Sequence, residues 1–293
     1  MFEQLVPIIL PVVVCTTVGL VWAWLELPLD REFMTRLIMN IGTPCLILQG
    51  ISGLPAGDNG FLFMVALGAA VHLGCALIGL AALLALGQPT RSYLPVLIFG
   101  NSTNMGLPLC LFAFGQDGLG LAVGHVLVGS VGQFVLGPLF QGRDSAWGTL
   151  LRTPVIYAAA IGVTLLLTGT RLPLWASNTA GLLGGLAIPM MLLALGHALA
   201  TIRLANLPVA AALGAGRILL GFGLALGLVS LFGLTGVQRG VLLIQSSMPV
   251  AVFSYLFAAR YERHPEDVAS AIVVSTALSF LSLPVLVAFA LGG

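Results

Sequence analysis

The chain has 293 residues, of which 59% are apolar and 7% charged, with a mean hydropathy of +1.10 and a formal net charge of +1. A soluble domain carries about 25% charged residues, so this chain has too few polar groups to cover a surface in water. The near-neutral charge points to neither an acidic nor a basic partner and to no nucleic acid, and the long apolar runs must face lipid or one another.

Roughly 20 apolar residues cross a bilayer, and ten such runs follow in order, over 5–25, 35–53, 61–86, 93–114, 119–140, 150–168, 180–200, 208–232, 239–258 and 268–290. The first is preceded by Glu3 and followed by no small-residue cleavage site, so it reads as a mature spanning helix and not as a signal peptide. The second and seventh contain Pro44 and Pro189 with little other polar content, and read as kinked scaffold helices. The third carries His72, the fifth His125 and Gln133, the seventh His197 and the eighth Arg217. The tenth carries a serine ladder, Ser275, Ser279 and Ser282, suited to bonds between helices. Connections such as LPLDRE, FGQDG and RYERHPED are short and hold the turn and charge signals. Spans of this length in lipid must satisfy their backbone internally, so they are expected to be helices. Cys15, Cys45, Cys75 and Cys110 all fall within apolar runs and read as small buried hydrophobes, not as a disulfide framework.

The basic residues orient the spans. The chain has no lysine, and Arg31, Arg36, Arg91, Arg143, Arg152, Arg203, Arg260 and Arg263 occupy one set of alternate loops. Only Arg171 and Arg239 fall on the other side. The bias predicts that the first side is cytoplasmic and that both termini are periplasmic or extracellular, in a multi-pass protein of the inner membrane.

The halves echo each other. Leu27-Pro28-Leu29 returns as Leu172-Pro173-Leu174 and Pro44 as Pro189, both at a shift of 145. Phe134 and Pro138 return as Phe280 and Pro284 at 146, and Pro108 corresponds to Pro249 at 141. Five spans per unit reverse the second unit, which predicts an all-α polytopic fold of two inverted five-helix repeats, with its substrate site near the bilayer midplane.

The fourth and ninth spans are interrupted by polar clusters followed by proline: Asn101, Ser102, Thr103 and Asn104 before Pro108, and Gln245, Ser246 and Ser247 before Pro249. Proline removes an amide donor and clashes with the preceding turn. Such a pair at matched positions points to a substrate site made from broken helices. The helix that starts after each break aims its positive end at the gap, which suits an anion.

The run GNSTNMGLPL, with the later stretch SSMPVAVFSYLFAARYERHPEDVASAIVVSTALSFLSLPVLV, resembles the auxin efflux carrier family. The most specific part is a mid-helix proline, then Phe-Ala-x-x-Tyr at the helix end, His-Pro in the loop, and a last span with Ser/Thr and Leu-Pro. The resemblance extends over the whole chain. It implies a scaffold unit of spans one, two, six and seven (1–53 and 146–201) and a mobile transport unit of spans three to five and eight to ten (60–140 and 207–291). It also implies crossover prolines at Pro108 and Pro249, elevator-type motion, and a homodimer formed through the scaffold. Plant members often carry a long hydrophilic insert between the halves, whereas here the link is only Gln141 to Thr149. Short bacterial relatives are described as carriers of small carboxylates such as malonate or malate, so the resemblance implies an organic-anion substrate, auxin-like or of that kind.

No Asp or Glu falls within a span; Asp58, Asp117, Asp144 and Asp267 are expected in loops. That argues against a cation–proton antiporter of similar architecture, which needs an embedded carboxylate. Arg217 attracts the anion, snorkels to the cytoplasmic side, or ties down freed carbonyls. His125 is either a proton-coupling group or a hydrogen-bonded core residue. Gln133 is expected to face the crossover. The expected substrate-binding set is therefore Asn101, Ser102, Thr103, Asn104, Pro108, Gln133, Gln245, Ser246, Ser247 and Pro249, with His125 and Arg217 for coupling or anion attraction. Scattered histidines make no metal site, and no cofactor is implied. No nucleophile–base dyad points to an enzyme. The alternative reading is a sodium-coupled symporter of the bile-acid type, built on a similar ten-span inverted architecture.

Overall fold

A computed structural model describes residues 2–54, 59–141, 154–202, 204–260 and 262–292. Asp58, Arg143, Asp144, Arg152, Arg203 and most of the Gln141–Thr149 link lie outside the described residues. Within them the chain is helical, apart from one isolated antiparallel bridge between Gly100 and Val250.

Helix α1 is Phe2–Trp24. Helix α2, Arg31–Leu37, runs through a π-helical turn, Ile38–Gly42, into α3, Thr43–Ser52. Asp30 caps α2 by accepting from the Phe33 amide at 2.9 Å, a short polar side chain satisfying an otherwise unpaired helix-start donor. Helix α4 is Asn59–Ala85 and α5 is Thr90–Ile98. A second π-helical turn, Ser102–Gly106, leads into α6, Leu107–Gln141. Then come α7, Pro154–Thr168, α8, Leu174–Thr201, and α9, Leu207–Phe232. The last three are α10, Gly236–Ser246, α11, Phe253–Arg260, and α12, Pro265–Leu291. Proline opens α9 and α12, where its missing N–H costs nothing, and left-handed Gly233 closes α9.

Among the described residues, six helices are long and apolar enough to cross a bilayer: α1, α4, the π turn with α6, α8, α9 and α12. The expected spans 35–53 and 239–258 are built from shorter pieces, and α7 is a shorter apolar helix of 15 residues. The fourth and fifth expected spans divide close to where the reading above puts a short loop. Gly115, with φ of 65° and ψ of −151°, is not helical, so α6 is two helices that meet at this sharp bend. Asp117, expected in a loop, stands exposed two residues past that bend, and Asp267 lies in the first turn of α12.

Packing follows the small residues. Helix α1 lies along α8, and the backbones nearly touch: a Cβ on Gly19 would lie 2.1 Å from the Leu193 carbonyl oxygen, and one on Gly196 only 1.8 Å from that of Thr16. Helix α3 packs on α7 and α8. On the other side α4 packs on α5 and α6, α9 on α12, and α10 on both α6 and α12. The two sets meet mainly where α3 crosses α6, with smaller contacts of α1 on α6 and α12 and of α8 on the second π turn. Large apolar side chains face outward, among them Leu73 and Leu84 of α4, Leu219 and Leu231 of α9, and Leu281 of α12. Lipid is the solvent that such a surface requires.

Candidate functional site

The first break follows α5. Phe99 turns extended at φ −99° and ψ 114°, and Asn101 leads into the π turn. The second follows α10. Ser247 ends it at φ −91° and ψ 5°, and residues 248–252 run non-helically to α11. The breaks satisfy one another. Asn101 N–H donates to the Pro249 carbonyl at 2.6 Å, and Ala251 N–H donates to that of Phe99 at 3.1 Å. Val250 N–H donates to Ser275 Oγ of α12 at 3.1 Å, and Ser102 Oγ donates to the Gln245 carbonyl at 3.2 Å. Backbone groups released from two helices thus find partners without water, as a low-dielectric interior demands.

One expectation is corrected. The chain departs from helix at Phe99–Asn101, not at Pro108. Pro108 lies two residues after the π turn, whose wider ladder accommodates a residue without an N–H, and the helix continues through it. Pro249, by contrast, lies within the second break and contributes its carbonyl.

Arg217 of α9 is fully buried and does not snorkel. Its guanidinium is held at the crossing: a Cβ on Gly100 would lie 2.5 Å from its Nη2 and 3.2 Å from the Met248 carbonyl oxygen. A Cβ on Gly221 would lie 2.5 Å from its Nη1 and 1.9 Å from the Ser246 carbonyl oxygen. Its Nη1 also approaches Cys75 Sγ at 3.8 Å. The helix ends beside it are the C-terminal, partially negative ends of α5 and α10, which give this cation its counter-charge.

The expected polar residues converge unevenly. Asn101 Nδ2, Asn104 Oδ1, Gln245 Oε1 and Ser246 Oγ are buried without hydrogen-bond partners. Gln245 Nε2 has only Cys110 Sγ, at 3.7 Å, and Ser247 Oγ bonds back to Leu243 of its own helix at 2.6 Å. Thr103 is half-buried in the π turn. Gln133 Nε2 is also unpartnered, one residue past Gly132, which packs on the Phe99 ring. A cavity of about 240 Å³ adjoins the crossing, and of the expected set only Asn104 lines it. Its other walls are Met34, Ile38 and Met39 on one side, Leu195 and His197 of α8, and Val252, Phe253 and Tyr255 after the second break. Sequence reasoning missed these apolar walls, which no pattern separates from lipid-facing residues. Ser275, expected to bond between helices, does so by accepting from the Val250 amide 25 positions away, a partner that no spacing reveals.

Long apolar helices, two of them broken and bonded break to break beside a cavity, are the build of a membrane transporter. Comparison with known proteins gives the particular family. Residues 142–287 match the family described as membrane transport protein. The chain is 25% identical over 275 residues to an uncharacterized transporter of Methanocaldococcus jannaschii, covering 85% of this chain and 86% of that one. It is 29% identical over 191 residues to an uncharacterized transporter of Methanothermobacter thermautotrophicus, covering 63% of each. The chain belongs to this transporter family, that of the auxin efflux carriers, and is not an enzyme.

Proposed function

We propose that the protein is a secondary carrier of small organic anions, carboxylates above all, working by alternating access across the inner membrane. The observation that carries this reading is the set of unpartnered amide groups on Asn101, Asn104 and Gln245 where the two broken helices meet beside the cavity. A buried amide group without a partner costs about 1–3 kcal/mol; a carboxylate accepting from Asn101 Nδ2 relieves that cost, while Asn104 Oδ1 and Gln245 Oε1 accept and suit a hydroxyl or a protonated carboxyl of the ligand. Amides, unlike a fixed cation, leave release of the anion easy. Ser102, Thr103 and Ser246 complete the polar surface in this reading, with Pro249 shaping the second break.

The same reading takes the chain as ten spans in two inverted repeats, with both termini periplasmic. The scaffold is 1–53 with 146–201, and the unit that moves is 60–140 with 207–291. The cavity wall supports an elevator: Met34, Ile38 and Leu195 come from the first unit and Asn104, Val252 and Phe253 from the second. A homodimer through the scaffold leaves the transport unit free to slide.

A thermal-stability screen of purified protein against mono- and dicarboxylates, with and without sodium, tests the function. Stabilisation by acids independent of sodium is the expected result. Stabilisation only with sodium favours the bile-acid-type symporter, and no stabilisation by any acid removes the carboxylate reading.

A further inference from the structure

Close to the crossing, and outside the lining of the cavity, lies a second polar group that the reading above does not use. His72 of α4 and His125 of α6 are both buried, with ring centroids 5.0 Å apart. His72 Nδ1 lies 2.7 Å from the Gly68 carbonyl. A carbonyl only accepts, so Nδ1 carries the proton and Nε2 of the neutral ring keeps a free lone pair. Both nitrogens of His125 are buried without a partner. A histidine retained only for packing uses its nitrogens, because an unpaired polar atom in this interior is costly.

We propose that His72 and His125 form a proton-binding site that couples proton uptake to anion binding, so that each anion crosses with a proton; this rests on the anion-carrier reading. The fit of the rings selects the occupant. A Cβ on Gly129 would lie 3.0 Å from His72 Nε2, and one on Gly68 would lie 3.2 Å from His125 Nδ1. The rings fill the space those glycines leave, so a metal or halide has no room and a proton does.

The charges around the pair supply the coupling. Cys75 lies one turn from His72 on the same face of α4 and contacts Arg217 at 3.8 Å. Phe99, whose ring lies 6.1 Å from that of His72, is itself part of the crossing. The other ionisable groups on the elements packed against α4 and α6 are distant in register or uncharged. Arg91 and Tyr93 stand in the first turns of α5, Arg239 in the first turn of α10, and Glu266 and Asp267 in the first turn of α12. Asp117 is exposed near the bend of α6, Cys110 is buried against Gln245, and Cys15 and Cys45 lie on α1 and α3. Among the described residues no carboxylate pairs with either ring. A proton on the pair therefore adds a second buried cation near Arg217, which an anion at the crossing offsets. Binding of proton and anion is then reciprocal by linkage.

Imidazole nitrogen NMR on histidine-labelled protein in nanodiscs tests this directly, with signals assigned by H72Q and H125Q. Spectra are taken from about pH 8 to about pH 4.5 without acid, then with malonate and with phenylacetate. The expected result is imidazolium on the pair, appearing at a proton concentration roughly tenfold lower when either acid is present. R217Q removes the neighbouring cation and moves the transition the same way without any acid. A shift in R217Q but with neither acid keeps the proton site and overturns the anion-carrier reading instead. Should R217Q fail to fold, the wild-type titration decides: imidazolium on either ring in the folded protein supports the site. Two neutral rings under every condition overturn it.

Discussion

Three amides and one guanidinium carry the polar chemistry of the crossing, and they do different work. Asn101 keeps an unpartnered donor, Nδ2, and Gln245 an unpartnered acceptor, Oε1, so the first can give and the second can take a hydrogen bond with a ligand. One such bond to a charged group is worth about 1.5–3 kcal/mol, so N101A and Q245A should each weaken acid binding by about tenfold or more in calorimetry. Unchanged affinity in both would move the site away from the crossing. Of these amides Asn104 alone lines the cavity, so N104A should weaken binding with little effect on the ligand-free melting temperature. Arg217 is enclosed by backbone, and that enclosure depends on the absence of side chains. G221A places a methyl 1.9 Å from the Ser246 carbonyl oxygen, against rigid backbone. It should destabilise the protein by about 1–3 kcal/mol or more, read as a lower melting temperature without ligand.

Among the elements, the broken helices explain both what was legible and what was not. Two polar clusters with prolines, Asn101–Asn104 and Gln245–Ser247, are visible in sequence, and both lie at helix interruptions. Proline is the loudest local signal and draws the expected crossover toward Pro108, whereas the break opens at the start of the polar cluster. What moves the break to Phe99–Asn101 is tertiary: Arg217 requires Gly100, and the second break offers Phe99 and Asn101 backbone partners. The serine ladder was read as general interhelical glue, but Ser275 takes the Val250 amide specifically. S275A leaves that buried N–H unpaired and should cost about 1–3 kcal/mol. S282A, whose hydroxyl bonds only to Ser279 of its own helix, should be close to neutral by the same thermal measurement. The approach of His72 to His125 was illegible for a related reason, since it depends on how α4 and α6 pack and not on any spacing within the chain.

At the scale of the whole molecule, the cavity is a seam between two sets of helices, and the proposed elevator requires motion across that seam. One wall is held by Thr35 and Met39 on the α2 side, the other by Tyr255 of α11, which follows the second break. In an elevator the second wall slides past the first while the bonds within the crossing stay intact. The crossing is tied to α12 through Ser275, so α10, α11 and α12 must travel together. Covalent attachment across the seam should therefore stop transport without disturbing binding. A protein with its four native cysteines replaced and with T35C and Y255C introduced can be bridged by a short bifunctional thiol reagent. Uptake into proteoliposomes of an acid found to bind should fall by roughly tenfold or more on bridging, and return when a reducible bridge is cleaved. Calorimetric affinity for the same acid should change little, because Asn101 and Gln245 lie behind the wall that the bridge fixes. A bridge inside the second unit, between R239C and F289C, whose native side chains meet across α10 and α12, is the control and should leave uptake intact. Full uptake through a protein bridged across the seam would show that the two sets of helices need not move relative to each other, and would leave the broken helices as a fixed pathway.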